Sequence, residues 1–386
     1  MRFKKQIFGF MDMLRFKKLV PKRREHLANG SSVPLPENYK VNILAKKLHP
    51  GSMKVELTDI REVSSGIKEF VFKRLDENSF PFFRAGQYVS VSCKIGESFV
   101  SRPYSIASSP RDALNNRLAI AVEDAGFFSG YMNREAKIGD RFDMTEPSGA
   151  FHYEKLRDKK HIACVAGGSG ITPFISMAKS MAEKDEEYEM TLFYGARDEA
   201  HLAYKSELDI LSATGLKVIY VLSDEKNEKY EHGFITAALL EKYVDIQNVT
   251  FFLCGPKNMY AFIQKELSPY NLPVKAIRKD ASSCGDRDIE NPAVFSLKVH
   301  IRDDIRTVNA YENETLLTAL ERAGISVPNK CRAGGCGYCH SKLIKGEFYV
   351  ADGRDGRREA DKKFGFIHPC VTYPSSDIEI DIPVTE

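Results

Sequence analysis

The chain has almost no net charge of either sign. Its 56 Lys and Arg residues face 53 Asp and Glu, a formal balance of +3 over 386 residues. So small an excess excludes the basic surface with which a whole chain grips nucleic acid. Cysteine is sparse as well. The eight, Cys93, Cys164, Cys254, Cys284, Cys331, Cys336, Cys339 and Cys370, are scattered along the sequence, which argues against a disulfide framework and for a reducing, cytoplasmic setting. The first 30 residues lack the continuous apolar stretch of a membrane span and the small-residue cleavage site of a secretory signal. Length is not lacking. The chain exceeds the size at which one hydrophobic core stops growing, so two or three domains are expected, and a 43% hydrophobic composition lets each bury a core.

The most informative stretch is Cys331-Arg332-Ala333-Gly334-Gly335-Cys336-Gly337-Tyr338-Cys339, with a fourth cysteine at Cys370. Four residues separate the first two cysteines, two the next pair, and an excursion of about 30 leads to the last, the C-x4-C-x2-C…C spacing of a plant-type [2Fe-2S] cluster. The chemistry explains the spacing: one iron takes two thiolates from a tight loop, the other a third loop thiolate and one brought from a distance. Gly334, Gly335 and Gly337 would let backbone N–H groups turn towards sulfur where a side chain would clash. The alternatives are a tetrahedral zinc site or ordinary reduced cysteines. Zinc ribbons prefer two C-x2-C knuckles, and one such pair occurs here.

Upstream of that loop the pattern is of two kinds. Between Lys54 and about residue 151, short alternating runs (VELTDI, EFVFKR, QYVSVS, RLAIAV) punctuated by Gly and Pro predict an antiparallel β-barrel. It contains Arg102-Pro103-Tyr104-Ser105, a group able to clamp a flavin: guanidinium on phosphate, aromatic ring stacking, hydroxyl towards the ring nitrogens. Gly126-Phe127-Phe128-Ser129 follows, with Ser129 at the start of a helix expected over 130–136, where free N–H groups suit a phosphate. From His161 onward, the apolar runs IACVA, MTLFY, KVIYVL, VTFFL and PVKAI alternate with helical patterns beginning near Thr172, Ala203, Ile235 and Lys257. They predict an α/β domain with a five-stranded parallel sheet. Its first strand ends in Gly167-Gly168-Ser169-Gly170-Ile171-Thr172-Pro173. Glycines there admit a pyrophosphate, Thr172 would cap the helix and Pro173 would be its first residue. The G-x-G-x-x-G of a dinucleotide-binding Rossmann fold is absent, because proline holds the last position. Cys254-Gly255-Pro256 closes the fourth strand, where such sheets bind ligands.

The ordered set RPYS, Gly126 to Ser129, GGSGITP, Tyr194 to Arg197, Cys254 to Pro256 and the cysteine loop resembles the ferredoxin-NADP reductase superfamily, in the branch with a C-terminal plant-type ferredoxin domain. Reductase components of ring-hydroxylating oxygenases and reductases of the hybrid cluster protein share this order. The resemblance implies a multidomain fold: an antiparallel flavin-binding barrel over 54–155, the nucleotide-binding α/β domain over 156–280, a linker over 281–293 and an α+β β-grasp ferredoxin domain over 294–386. In the last, SLKVHI and IEIDI would be strands of a four-stranded sheet, with a helix over 311–322. It further implies that Arg102, Pro103, Tyr104, Ser105, Gly126, Phe128 and Ser129 hold the flavin. Gly168, Gly170, Thr172, Pro173, Arg197, Cys254, Gly255 and Pro256 would hold the nicotinamide nucleotide, and Cys331, Cys336, Cys339 and Cys370 the cluster. Tyr104, Ser105 and Cys254 would stand beside the reacting rings. The flavin resembles the FAD of most members, with FMN, used by phthalate-dioxygenase-reductase-like members, as the alternative.

The implied activity is an NAD(P)H-dependent oxidoreductase in which flavin converts a two-electron donor into a source of single electrons for the cluster and then for a redox protein partner. Asp198 and Glu199, directly after Arg197, favour NADH over NADPH by repelling a 2′-phosphate. Two rival readings are a self-contained reductase of a small acceptor such as a quinone and a non-enzymatic ferredoxin-like interaction module. A third, a dihydroorotate-dehydrogenase electron-transfer subunit, is disfavoured by the long gap to Cys370. Residues 1–24 stand apart, with nine basic side chains against Asp12 alone, and Phe3, Ile7, Phe10, Met11 and Leu14 at helical spacing. Such a helix could rest on an anionic membrane, placing the protein peripherally, or dock a partner; a flexible or self-packed arm is the other reading. A short helix over 41–48 follows.

Overall fold

The structure, a computed structural model, describes residues 4–29, 39–48, 50–280 and 285–383. It divides into two compact units, Met1–Leu48 and His49–Glu386. The first unit is helical, Lys4–Ala28 with Pro21 inside it and Lys40–Leu48. Met13, Leu14 and Leu19 lie exposed along the longer helix; the side chains of the other four apolar residues of the expected stripe lie outside those described.

The second unit begins with six strands, β1 (Ser52–Ser64), β2 (Ile67–Arg74), β3 (Tyr88–Ile95), β4 (Ser98–Ser105), β5 (Leu118–Glu123) and β6 (Arg141–Thr145), in the order β4-β3-β6-β1-β2-β5. Every pairing is antiparallel. Alternation explains the sheet: Met53, Val55 and Leu57 of β1 point inward with Phe70 and Phe72 of β2 and Val89 and Val91 of β3. Register shifts at Leu57/Asp59 and Glu62/Ser64 bend the 13-residue β1. Closure comes at the far edge. Just beyond β4, Ile106 bridges Ile120 of β5, and the Ala107 N–H donates to the Ala119 carbonyl at 2.7 Å.

A parallel sheet follows, with β7 (His161–Gly167), β8 (Glu189–Ala196), β9 (Lys217–Leu222), β10 (Glu231–His232), β11 (Thr250–Cys254) and β12 (Ile277–Lys279) in the order β10-β9-β8-β7-β11-β12. Strand β7 alternates between two cores. Ile162, Cys164 and Ala166 pack with Phe174 and Met177 of the helix Thr172–Ala182, while Ala163 and Val165 face Leu240 and Ile263 on the other side. The first of these cores continues into the barrel through Val71, Ala119 and Ala121, so barrel and nucleotide domain share buried surface. At β12, buried Arg278 pairs with buried Asp158 at 2.5 Å and donates to the His152 carbonyl at 2.6 Å, tying the end of the sheet to the chain leaving the barrel.

The last part holds β13 (Val294–Ile301), β14 (Asp304–Tyr311), β15 (Ser341–Lys345), β16 (Phe348–Val350), β17 (Phe366–Ile367), β18 (Thr372–Pro374) and β19 (Ile378–Asp381). A five-stranded sheet, β14-β13-β19-β15-β17, packs its Leu297, Val299 and Ile380 against Leu316, Leu317 and Leu320 of the helix Leu316–Arg322, and β16-β18 form a separate pair.

Several expectations need correction. The parallel sheet has six strands, because the two-residue β10 adds an edge too short to be read from sequence. The last parallel strand is Ile277–Lys279, since Val274–Ala276 turns into a 3-10 helix behind Pro273. The ferredoxin sheet has five strands rather than four. The helix expected over 311–322 begins only at Leu316 behind the Thr315 cap, because Tyr311 ends β14. Part of the expected linker, 281–284, lies outside the described residues.

Candidate functional site

Two cavities open at the carboxyl edge of the parallel sheet, where strand order reverses around β7. The smaller, about 400 Å³, lies between barrel and sheet. Arg102, Pro103, Tyr104 and Ser105 line it from the end of β4, Gly126, Phe128 and Ser129 from the start of the helix Phe127–Arg134, and Ser169 and Thr172 from the turn after β7. The Tyr104 and Phe128 rings lie 6.1 Å apart, and burial holds the Tyr104 phenol above its ordinary range. Of the Arg102 guanidinium, Nη1 donates to the Ser101 carbonyl at 2.7 Å and to Glu321 at 2.9 Å. The helix begins three residues earlier than expected, so Ser129 lies in its first turn. There it accepts from the Ala125 N–H and donates to the Gly126 carbonyl, both at 3.3 Å.

The larger cavity, about 610 Å³, runs over the ends of β7, β8, β9 and β11 and is lined by Gly168, Arg197, His201, Ser223, Phe234 and Pro256 among others. Gly168 adopts a left-handed φ of +55° with open space where a Cβ would stand, leaving its backbone approachable. Gly170 serves another need: a Cβ there would strike the Cys254 carbonyl and come within 2.8 Å of the Gly255 Cα. The two glycine turns that the sequence shows far apart thus pack back to back. Thr172 does not cap the helix. It is the first residue of Thr172–Ala182 and donates its hydroxyl to the Ser169 carbonyl at 2.8 Å, with Pro173 next. Beside the cavity, Asp198 accepts from His201 Nδ1 at 2.6 Å, which lowers its proton affinity, and Glu199 accepts the Tyr230 hydroxyl at 2.7 Å.

Ser105 and Cys254 meet at one carboxylate. The Ser105 hydroxyl and the Cys254 thiol each lie 3.5 Å from Asp280 Oδ2, and Tyr260 donates to the Asp280 carbonyl at 3.4 Å. Burial first, and Asp280 second, push the Cys254 thiol up. Sequence reading gave Asp280 no role, although its place directly after β12, at the carboxyl edge, is the signal that could have marked it.

The cluster loop joins this site through the barrel. On β3, Tyr88 is the cross-strand partner of Ser105, and, two residues on, the Ser90 hydroxyl donates to the Lys330 carbonyl, directly before Cys331, at 2.8 Å. Cys331, Cys339 and Cys370 are buried and Cys336 is exposed. Among the described residues no three His, Cys, Asp or Glu side chains gather as a mononuclear ion requires. The four cysteines meet as two pairs, Cys331 with Cys336 and Cys339 with Cys370, the arrangement two irons need. The Cys336 thiol donates to Cys331 and, with N–H groups of Ala333, Cys336 and Gly335, holds Cys331 well below the ordinary thiol range. Such a loop suits sulfur bearing negative charge. Gly334 and Gly337 have left-handed φ values, and a Cβ on Gly334 would strike the Arg354 carbonyl; a Cβ on Gly335 would meet no protein atom within 4 Å.

Three domain families match in the same order as these sites. Residues 54–153 match an oxidoreductase FAD-binding domain, 164–265 an oxidoreductase NAD-binding domain and 299–375 a 2Fe-2S iron-sulfur cluster binding domain. The chain is 28% identical to the beta subunit of a heme-dependent oxidative N-demethylase of Ectopseudomonas mendocina, over 82% of this chain and 94% of that one. It is 26% identical to the NADH oxidoreductase HCR of Escherichia coli, over 77% and 88%. Its fold matches phthalate dioxygenase reductase with a TM-score of 0.64 at 22% identity, covering 87% of this chain and 98% of that one. The protein is an NAD(P)H-dependent flavoprotein oxidoreductase carrying FAD and a [2Fe-2S] cluster. The three matched domains stand in the ferredoxin-NADP reductase arrangement with a C-terminal [2Fe-2S] domain.

Two outcomes follow from the cavities. Arg102→Ala should weaken flavin binding about tenfold to a hundredfold, the size of a lost charge-assisted contact, while the cluster absorption persists; full flavin occupancy in the variant would reject this role. Because the carboxylates Asp198 and Glu199 directly follow Arg197 in the chain, kcat/KM should be larger for NADH than for NADPH, and steady-state kinetics showing the reverse would overturn the assignment.

Proposed function

We propose that this reductase delivers single electrons to an enzyme of the oxygenase type, and that the residues named above carry the path. The convergence of Ser105, Cys254 and Asp280 beside the strand that receives the cluster loop supports this reading most directly. A flavin held there would supply the conversion of a two-electron nicotinamide donor into single electrons, the form a [2Fe-2S] cluster can take. The chain's residues position rather than react. Arg102 and the first turn at Gly126 to Ser129 hold the phosphate end of the flavin, Tyr104 stacks, and Asp280 orients the Ser105 hydroxyl towards the ring. Cys254 stands against the nicotinamide. Gly168, Gly170, Thr172, Pro173, Gly255 and Pro256 shape the pyrophosphate turn, and Arg197 faces the ribose. Cys331, Cys336, Cys339 and Cys370 ligate the irons, with Cys336 at the exposed end as the exit to the partner. The likeness to the beta subunit of a heme-dependent oxidative N-demethylase favours an oxygenase-type acceptor over a quinone.

The expected cytoplasmic setting stays part of this proposal; no described helix is long and apolar enough to cross a membrane. The basic helix Lys4–Ala28 is proposed to hold the protein at an anionic surface by charge. Vesicles rich in phosphatidylserine should co-sediment the protein at low salt and release it at high salt; equal sedimentation with neutral vesicles would remove this role. For the main reading, Cys336→Ser in the full chain should keep NADH oxidation by ferricyanide yet lose anaerobic cytochrome c reduction, since a hydroxyl replaces thiolate on iron poorly. Cytochrome c reduction at the wild-type rate would show electrons leaving from the flavin directly, as in a reductase of small acceptors.

A further inference from the structure

Glu321 joins the two redox sites. It lies near the end of the helix Leu316–Arg322 in the ferredoxin domain, is 4% exposed, and spends both oxygens across the seam with the barrel. Oε1 accepts from the Ser101 backbone N–H at 3.1 Å and from Arg332 Nη1 at 2.7 Å, and Oε2 accepts from Arg102 Nη1 at 2.9 Å. Arg332 directly follows the cluster ligand Cys331 and is buried in a left-handed conformation, φ 51°. Arg102 lines the flavin cavity. A single carboxylate therefore holds one guanidinium of the cluster loop and one of the flavin site. The same seam is closed by the Ser90 hydroxyl on the Lys330 carbonyl at 2.8 Å and by Lys330 paired with Glu146 at 3.0 Å.

The charges do not balance within this triad. Two guanidiniums share one carboxylate: Arg332 is buried beside the cluster cysteines, whose thiolates can answer its charge, whereas Arg102, 27% exposed, carries a positive charge for which Glu321 is only a shared partner. The flavin cavity lies on the open side of Arg102, where a phosphate would offset it.

We propose that Glu321 is a positioning residue which clamps the cluster loop to the flavin-lining strand, and that through Arg102 the clamp tightens when an anionic flavin fills the cavity. The proposal rests on the assignment of that cavity to the flavin. By linkage the effect is reciprocal: docking of the ferredoxin domain strengthens flavin binding as much as flavin strengthens docking. Electron transfer then becomes efficient only in protein whose flavin is in place.

Hydrogen exchange on the full-length protein tests this, read at segments 98–105 and 316–332. Removing FAD from wild type should speed exchange in both segments about tenfold, the scale of one lost charge-assisted contact. Glu321→Gln, loaded with FAD and cluster, should show the same opening. In stopped flow its flavin should be reduced by NADH at the wild-type rate while cluster reduction slows about tenfold, a split that general destabilisation would not produce. If the variant fails to assemble its cluster, the wild-type comparison alone decides. Exchange in both segments unchanged on FAD removal overturns the clamp, and so does a Glu321→Gln protein with wild-type exchange and cluster reduction. Neither result touches the electron path itself, which the Cys336→Ser experiment tests separately.

Discussion

One strand carries two loads. β4 presents Arg102 to Ser105 to the smaller cavity, the one proposed to hold the flavin, while the Ser101 backbone N–H and the Arg102 side chain receive the ferredoxin domain. It can do so because the barrel closes directly after it, where Ile106 meets Ile120 and Ala107 bonds to Ala119. Closure removes an edge that would otherwise pair elsewhere and fixes the pleat, so alternate residues of β4 and β3 are aimed reliably. Without it neither the flavin cavity nor the seam for the cluster loop would have a fixed wall.

The second constraint is burial shared between domains. The core that Cys164, Ala166 and Phe174 form in the nucleotide domain continues into Val71 and Ala119 of the barrel, so the two halves of the flavin cavity are held at a fixed separation. The ferredoxin domain has its own core around Leu297, Leu317 and Ile380 and meets the barrel through polar contacts, Glu321, Lys330 and Ser90. Polar seams of this kind open more readily than packed cores.

Much of this was legible in the sequence because its signals are local. The cysteine spacing, the glycine turn after IACVA, CGP after VTFFL and the alternating barrel runs each report on a few consecutive residues. What was missed is non-local or short. Asp280 acquires meaning only when β12 is laid beside β11, and Glu321 only when the ferredoxin domain is docked, since no pattern around ERAG marks a residue reaching Arg102. Helix starts slipped for a physical reason. Thr172 looks like a cap by type, yet the preceding 3-10 turn Gly168–Ile171 makes it the first helical residue, and Ser129 was set outside a helix that already begins at Phe127. The two-residue β10 leaves too little sequence to read at all.

The central claim is that electrons from the nicotinamide nucleotide reach the cluster through the flavin. The direct measurement is anaerobic mixing of the full-length protein with NADH, following the reduced [2Fe-2S] cluster by electron paramagnetic resonance in flavin-loaded and flavin-free samples. The account predicts a cluster signal that grows in the loaded protein and stays absent without flavin. A signal that never appears in the loaded protein, or that grows equally fast in the flavin-free one, contradicts it.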